Sequence, residues 1–480
     1  MNSKESFAVF LRKNNFLLFF LLGIVFVLTV SFVTLTTKPK ISTDEAVSIE
    51  LSRNFQTEGI LDIKTAPGVF SGFGERLQST GYPVTVPLAL FFKLFGFDFA
   101  VARVYMLLWM LGVLAFLCWL GRKWFGTRDA IFSFFLIITF ASFYANGRTV
   151  VGEIPGFLFM LAGLYFLFTR EQFLWAGFFL GFAVVSKLSV FGLIVPTLVI
   201  TGFFDFRRFF KVLAPVAVGM LPSALVWIFL VLKSPFLVST WASLFSFYQN
   251  PYSSSISGNI IKNLLGVFSS PTLLYFGLFF VAIIVARFIS ENDKKKLYDF
   301  VIVYGILAFL YYLRSPGWLR YVFIAELLVL FLLPHAIGLL WRKVQNPVLM
   351  KFPRLARAPE FALVALILFQ TAQFFTMSHI FSSDTASRAA QSVNQHFPGQ
   401  SVGVLNAVET ALWLKTSERY LVMDLTGLPQ IGINPLFSKE LPKVLVASIG
   451  QRFWSEGEKV INSRYTTFAA IGGYTIYERK

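Results

Sequence analysis

Residues 16–46 read FLLFFLLGIVFVLTVSFVTLTTKPKISTDEA, and the order of features in that stretch decides the fold. Phe16 to Leu35 is an unbroken apolar run of about 20 residues, enough to cross a hydrocarbon core of about 30 Å. Lys4, Arg12 and Lys13 precede it, the flank expected of a signal anchor. The run is longer than the core of a cleavable signal peptide, and no small-x-small site stands before Thr36, Thr37 and Lys38. The polar segment that follows opens with Ser42-Thr43-Asp44-Glu45. A helix capped by Ser42 or Thr43 would carry both carboxylates in its first turn, where the helix dipole favours them. That reading asks nothing more of either acid. The alternative is that scarce acids at the edge of a membrane span are functional.

Working outward, 56% of the 480 residues are hydrophobic and only 14% charged, against about 25% charged in ordinary soluble proteins. Disorder is excluded and a single soluble globule does not fit. Ten further apolar runs follow, near Val101–Leu120, Ala130–Tyr144, Ile154–Phe168, Phe173–Lys187, Phe191–Phe204, Val212–Leu232, Thr272–Val285, Phe300–Leu313, Arg320–Leu340 and Phe361–Ile380. They predict an all-α polytopic membrane domain of about 11 transmembrane helices over residues 1–380. The net charge of +17 would ordinarily suggest nucleic acid. With the N-terminus cytoplasmic, however, the inside loops hold nineteen basic and eight acidic residues, eleven of the seventeen net charges. That is the positive-inside pattern. It predicts a multi-pass protein of the plasma (cytoplasmic) membrane, no nucleic-acid partner and an extracytoplasmic C-terminus. The lone cysteine, Cys118, lies in an apolar run and supports neither a disulfide framework nor a thiolate metal site.

Two external segments are too long to be mere connections. Residues 36–100 hold an amphipathic start at Asp44–Phe55, a Gly-rich stretch from Gly68 to Gly74, and an apolar piece, Val84–Phe95. That piece reads as an interfacial helix, because Pro83 suits its first turn and Gly96 its stop. The tail, 381–480, alternates strand-like runs (Ser401–Leu405, Tyr420–Met423, Lys443–Ala447, Tyr474–Tyr477) with a helical run at Ala407–Leu414. It is expected to form a small extracytoplasmic α/β domain. A third external loop, Lys233–Asn263, places Trp241, Tyr248 and Tyr252 where interfacial aromatics sit. No internal repeat is visible, which weighs against an inverted-repeat transporter.

Four positions could carry chemistry beside Asp44. Glu153 stands in Arg148-Thr-Val-Val-Gly-Glu-Ile-Pro-Gly at the outer turn before the fourth span, Lys187 ends the fifth, and Arg314 and Arg320 flank Ser-Pro-Gly-Trp-Leu before the tenth. Taken singly, Glu153 is explained as an acid at a helix N-terminus and each base as a lipid-facing snorkel. Taken together, outer bases beside two carboxylates suit an anionic leaving group and the deprotonation of a hydroxyl. Glu326, deeper in the tenth span, is a further buried-charge candidate. There is no HExxH, no Walker-type glycine loop and no Gly-x-Ser-x-Gly, and His335, His379 and His396 lack ligand spacing. Two carboxylates without a third ligand argue against an obligatory metal, with a divalent cation left open.

In their order along the chain these pieces resemble the GT-C membrane glycosyltransferases, in the branch of the protein O-mannosyltransferases and lipid A aminoarabinose transferases. The resemblance rests on Asp44-Glu45 after the first span, on Pro83, Pro87 and Leu88 before Phe95-Gly96, and on Ala102-Arg103 at the second span. It continues with Arg148, Glu153 and Pro155 after the third span, Lys187 at the end of the fifth, and Arg320-Tyr321 before a late one. It implies inverting transfer of a hexosyl or pentosyl unit from a polyprenyl-phosphate donor to a glycan, lipid or protein acceptor on the external face. By the same resemblance Asp44 is the general base, Glu153 the second acid, Lys187, Arg148 and Arg320 the donor-phosphate ligands, and Glu45 and Tyr321 supporting residues. Two departures stand out: Glu153 where the family has Asp, and Gly81-Tyr82-Pro83 where relatives have a His-Pro-Pro or Pro-Pro pair. The competing classes are a transporter or flippase of a lipid-linked or anionic substrate, and a non-catalytic membrane partner in a glycan pathway.

Overall fold

A computed structural model describes residues 3–72, 74–203, 206–232, 235–249, 255–348, 357–377, 384–422, 441–448 and 455–480. Tyr252, His379 and the strand end at Met423 lie outside the described residues. The expected spans resolve into eight helices long and apolar enough to cross a membrane among the described residues. To these add one pair, Thr127–Ile138 and Ala141–Gly147, bent by 66°, and two shorter apolar helices, Phe173–Ser186 and Leu188–Gly202. The protein is thus a multi-pass membrane protein, but two of the eleven runs are short. Fourteen residues of helix reach only about 21 Å. The interruption falls at Lys187, the ionisable residue in that apolar sequence.

The membrane core is made by the inner faces of these helices, including Leu114, Leu117, Phe134, Phe157, Leu180, Tyr304, Phe331 and Leu332. Their outer faces carry exposed Phe210, Phe229, Leu278, Phe288 and Leu368, an apolar surface suited to lipid rather than water. The bend at Thr139 has a local cause. Its hydroxyl donates back to Phe135 O at 2.7 Å while Gln370 lies 2.9 Å away, and Tyr144 donates to the freed Ile138 carbonyl at 2.9 Å. His335 meets the Tyr298 hydroxyl at 2.9 Å and is a satisfied core histidine.

The segment between the first span and the helix Phe99–Phe125 folds as the sequence suggests in outline. Helix Thr43–Glu58 is capped by Ser42, whose side chain accepts from Glu45 N, and stopped by Gly59 in the left-handed region. A hairpin of β1 (Lys64–Ala66) and β2 (Val69–Phe70) follows. Helix Tyr82–Phe95 has Pro83 in its first turn and ends at Gly96, with φ of 82°. The expected loop Lys233–Asn263 instead contains two helices, Val238–Gln249 and Ile256–Val267. Its serines read as loop residues, but Ser243 and Ser246 stand between apolar residues inside the first of these helices.

The C-terminal part holds a five-stranded sheet in the order β4 (Arg419–Val422), β3 (Val402–Leu405), β5 (Val444–Ser448), β7 (Tyr474–Arg479), β6 (Tyr465–Ile471). β3 runs parallel to β4 and β5, whereas β7 is antiparallel to both β5 and β6. The Gly472-Gly473 turn closes the last hairpin, with β6 at the edge of the sheet. One apolar core joins this sheet to the loop between the first spans. Ala46, Ile49, Leu51 and Leu88 pack in the same cluster as Ala389, Val402, Val404, Leu421 and Val444.

Candidate active site

Four separate pieces of backbone converge on one group of charges. Asp44 projects from the first turn of the Thr43–Glu58 helix, and Glu153 begins the helix Glu153–Tyr165. Lys187 sits at the break between two helices, and Arg320 lies in the short 3-10 turn Leu319–Tyr321. Arg320 Nη1 donates to Asp44 Oδ2. Lys187 Nζ lies 3.9 Å from Asp44 Oδ2 and 3.7 Å from Glu153 Oε1. Those two separations are ion pairs without hydrogen bonds. Lys187 Nζ and both Glu153 oxygens have no hydrogen-bond partner among the described residues, although both side chains are at most 2% exposed. A desolvated ammonium and carboxylate left short of partners are costly, and their hydrogen-bonding capacity is left open.

The break that delivers Lys187 depends on two glycines. Gly81 N donates to Ser186 O at 3.0 Å, and a side chain on Gly81 would run into the Val185 carbonyl. A side chain on Gly152 would run into the Ser186 carbonyl and meet Lys187 Cβ at 3.1 Å. Backbone therefore approaches backbone from both sides of the Lys187 turn.

Glu45 and Asp44 divide two tasks. Glu45 is fully buried and paired with Arg103, Nε to Oε1 at 2.7 Å and Nη2 to Oε2 at 2.8 Å. It also accepts from Val150 N at 3.2 Å, and Arg103 donates to the carbonyls of Lys38 and Pro39. This knot fixes the helix start against both the first-span exit and the turn that carries Glu153. Asp44, 28% exposed, is the acid left facing the cations. Burial alone would raise its pKa, but the charges of Arg320 and Lys187 and the hydrogen bond from Arg320 outweigh that and hold the carboxyl below its ordinary range.

Of the residues expected here, Asp44, Glu153, Lys187 and Arg320 come together. Tyr321 is buried beside them, edge-on to Tyr311, and Arg320 lies 4.4 Å over the Trp318 ring. Arg148 does not join the group in this conformation. Its Nη1 and Nη2 are spent on Val30 O, Ser31 O, Thr34 Oγ1 and Thr34 O, at the end of the first helix. The unpaired carbonyls of a helix C-terminus attract a guanidinium strongly. Glu326 makes no hydrogen bond or ion pair to the Asp44 group, and its Oε1 has no partner among the described residues. Arg103 takes the task of holding Glu45, and its sequence signal is an ionisable residue at the start of an apolar run.

Residues 84–239, about a third of the chain, match the family model described as dolichyl-phosphate-mannose-protein mannosyltransferase. Comparison with curated proteins gives no match. Among solved structures the fold is similar to ArnT from Cupriavidus metallidurans bound to undecaprenyl phosphate, with a TM-score of 0.64 and 16% identity over 95% of this chain and 97% of that one. It is also similar to the oligosaccharyltransferase AglB from Archaeoglobus fulgidus in complex with an inhibitory peptide and a dolichol-phosphate, with a TM-score of 0.58 and 12% identity over 98% and 75%. These likenesses establish the GT-C fold over nearly the whole chain. The family match, over residues 84–239, lies inside that fold.

Proposed function

We propose that the enzyme moves a sugar from a polyprenyl-phosphate donor to an acceptor hydroxyl, with inversion at the anomeric carbon, on the extracytoplasmic face of the plasma membrane. The observation that carries this reading is the Asp44 carboxylate held between Arg320 and Lys187. The acceptor oxygen attacks the anomeric carbon, the bond from that carbon to the phosphate oxygen breaks, and the acceptor proton passes to Asp44. The bonding pair leaves on the phosphate, where Lys187 and Arg320 balance the charge. Donor phosphate competes with Asp44 for those two cations, so donor binding itself releases the base.

Glu153 is assigned to hold the Lys187 ammonium in place, Glu45 to hold the helix start through Arg103, and Tyr321 to back the Arg320 turn. Arg148 is assigned to the end of the first helix rather than to the phosphate. A metal is not required in this scheme, because a divalent ion between Asp44 and Glu153 would sit against the Lys187 ammonium. Turnover is accordingly expected to survive chelation with EDTA unchanged.

The deciding experiment incubates the purified protein with a panel of polyprenyl-phosphate sugars and an envelope-lipid and glycan acceptor mixture, and follows release of polyprenyl phosphate by mass. Release from at least one donor is expected, with Asp44→Asn folding normally and losing about 10²- to 10⁴-fold in rate. No release from any donor, or undiminished turnover in Asp44→Asn, refutes the assignment.

A further inference from the structure

A cleft lies where the exit of the first span meets the C-terminal sheet. This cleft has a volume of about 80 Å³, and its walls include Lys40, Asp384, Ser387, Glu409, Trp413 and Tyr474. A water needs about 10–15 Å³ by this measure and represents about 30 Å³ of liquid. The cleft thus holds roughly six waters, about the volume of one pyranose ring.

Its chemistry is selective. Trp413 and Tyr474 line it with aromatic rings that end in polar tips, and Trp413 Nε1 has no hydrogen-bond partner among the described residues. Tyr474 Oη donates to Glu409 Oε1 at 2.5 Å. Burial, and next the Glu409 carboxylate, hold that phenol above its ordinary range, so it stays a donor. Two carboxylates against one lysine disfavour a second phosphate. A bare cation is not matched either, since Glu409 already accepts from Tyr474 and Asp384 faces Arg388 at 3.4 Å. Aromatic faces rimmed by hydroxyl, carboxylate and amine groups match a neutral ring that is apolar on its C–H face and carries hydroxyls on its edge.

Position ties the cleft to the reaction. Ile41 lines it, and Asp44 follows three residues later. Three Cα steps span at most about 11 Å, the scale of one to two linked sugars. We propose that this cleft is a carbohydrate subsite, which holds a sugar ring of the acceptor one or two units from the hydroxyl that reacts. Its assignment to the acceptor rests on the transferase reading above; binding of a sugar ring in the cleft does not.

The test uses the full chain in lipid nanodiscs and saturation-transfer NMR with the methyl glycosides of glucose, galactose and mannose as probes. Ring protons of at least one glycoside are expected to be saturated by the wild-type protein. Trp413→Ala and, separately, Ser387→Trp, which fills the space, should each weaken that binding at least tenfold. Lys187→Ala should leave it unchanged, which separates the cleft from the donor site. Thermal unfolding of each variant checks that the fold persists, and Ser387→Trp keeps the test open should loss of the Trp413 contact with Phe99 unfold the domain. No signal from any of the three glycosides, or a signal that both cleft variants leave within twofold, overturns the proposal. Glycoside binding that persists while no polyprenyl-phosphate donor releases its phosphate would sink the transferase reading and leave the subsite standing.

Discussion

Asp44 is ionised in the resting protein because its two cationic neighbours outweigh its burial. A carboxyl with a depressed pKa is charged above the ordinary aspartate value of about 3.9, and that charge is lost only as pH falls through the lower folded-state value. The pH profile of kcat/KM, which reports the free enzyme, should therefore show no acid limb from this group above about pH 4. A limb centred near pH 6 would assign the base elsewhere. Lys187 makes the complementary prediction. Its ammonium has no hydrogen-bond partner among the described residues, so on the proposed reading its directed contact is made with substrate. A hydrogen bond to a charged group contributes about 1.5–3 kcal/mol, and Lys187→Ala should lose roughly 10- to 150-fold in kcat/KM for the donor. Donor dependence indistinguishable from wild type would contradict the phosphate role. Asp44, Glu153, Lys187 and Arg320 were legible from charge scarcity and sidedness together with the family resemblance. Arg148 was named with them, but its place at the end of the first helix was not legible, because spacing cannot say that this helix would end within reach of its guanidinium.

At the scale of elements the site depends on an interrupted helix. The sequence near Lys187 is apolar enough to read as two full spans, and its periodicity does not reveal where the helix stops. What decides it lies outside the segment. Gly81 and Gly152, some hundred and some thirty-five residues earlier, let two other backbones close on the Val185 and Ser186 carbonyls. β6 is hidden by its edge position, which leaves most of its residues exposed, and the helices inside 233–263 are hidden by serines that read as loop residues. The long uniform spans and the capped helix at Thr43 were legible because their causes are local. Gly152→Ala tests this account. The added methyl must displace backbone rather than a flexible side-chain end, so the expected cost is about 1–3 kcal/mol, read as a lowered unfolding temperature with loss of transfer. Gly266→Ala, in the helix Ile256–Val267 and with open space around it, is the matched control. It should be neutral or gain up to about 1 kcal/mol from helix propensity. Equal effects of the two changes would remove the close-approach explanation.

For the whole molecule, the question is what the C-terminal sheet contributes to chemistry at the end of a membrane bundle. The helix that carries Asp44 is held at three places. Its start is tied by Glu45 to Arg103, its apolar face packs in the core shared with the sheet, and its middle is tied by Glu50 to Arg419 of β4. That last pair closes at 2.7 Å with both side chains at most 6% exposed. Removing one member of such a pair strands the other charge away from water, at a cost of about 3–5 kcal/mol. Replacing both by apolar residues of similar length costs far less, because no charge is left unpaired. Arg419→Met is therefore expected to lower the unfolding temperature sharply and to depress kcat more than donor KM, since it loosens the helix that carries Asp44, the proposed base, and leaves Lys187 and Arg320 in place. Glu50→Met combined with Arg419→Met should recover most of the stability. Recovery of kcat along with it would mean that apolar packing of the sheet suffices to hold Asp44 in line. Stability recovered without kcat would mean that the ion pair sets the direction of the helix. A single variant Arg419→Met that matched wild type in both quantities would detach the sheet from the reaction altogether.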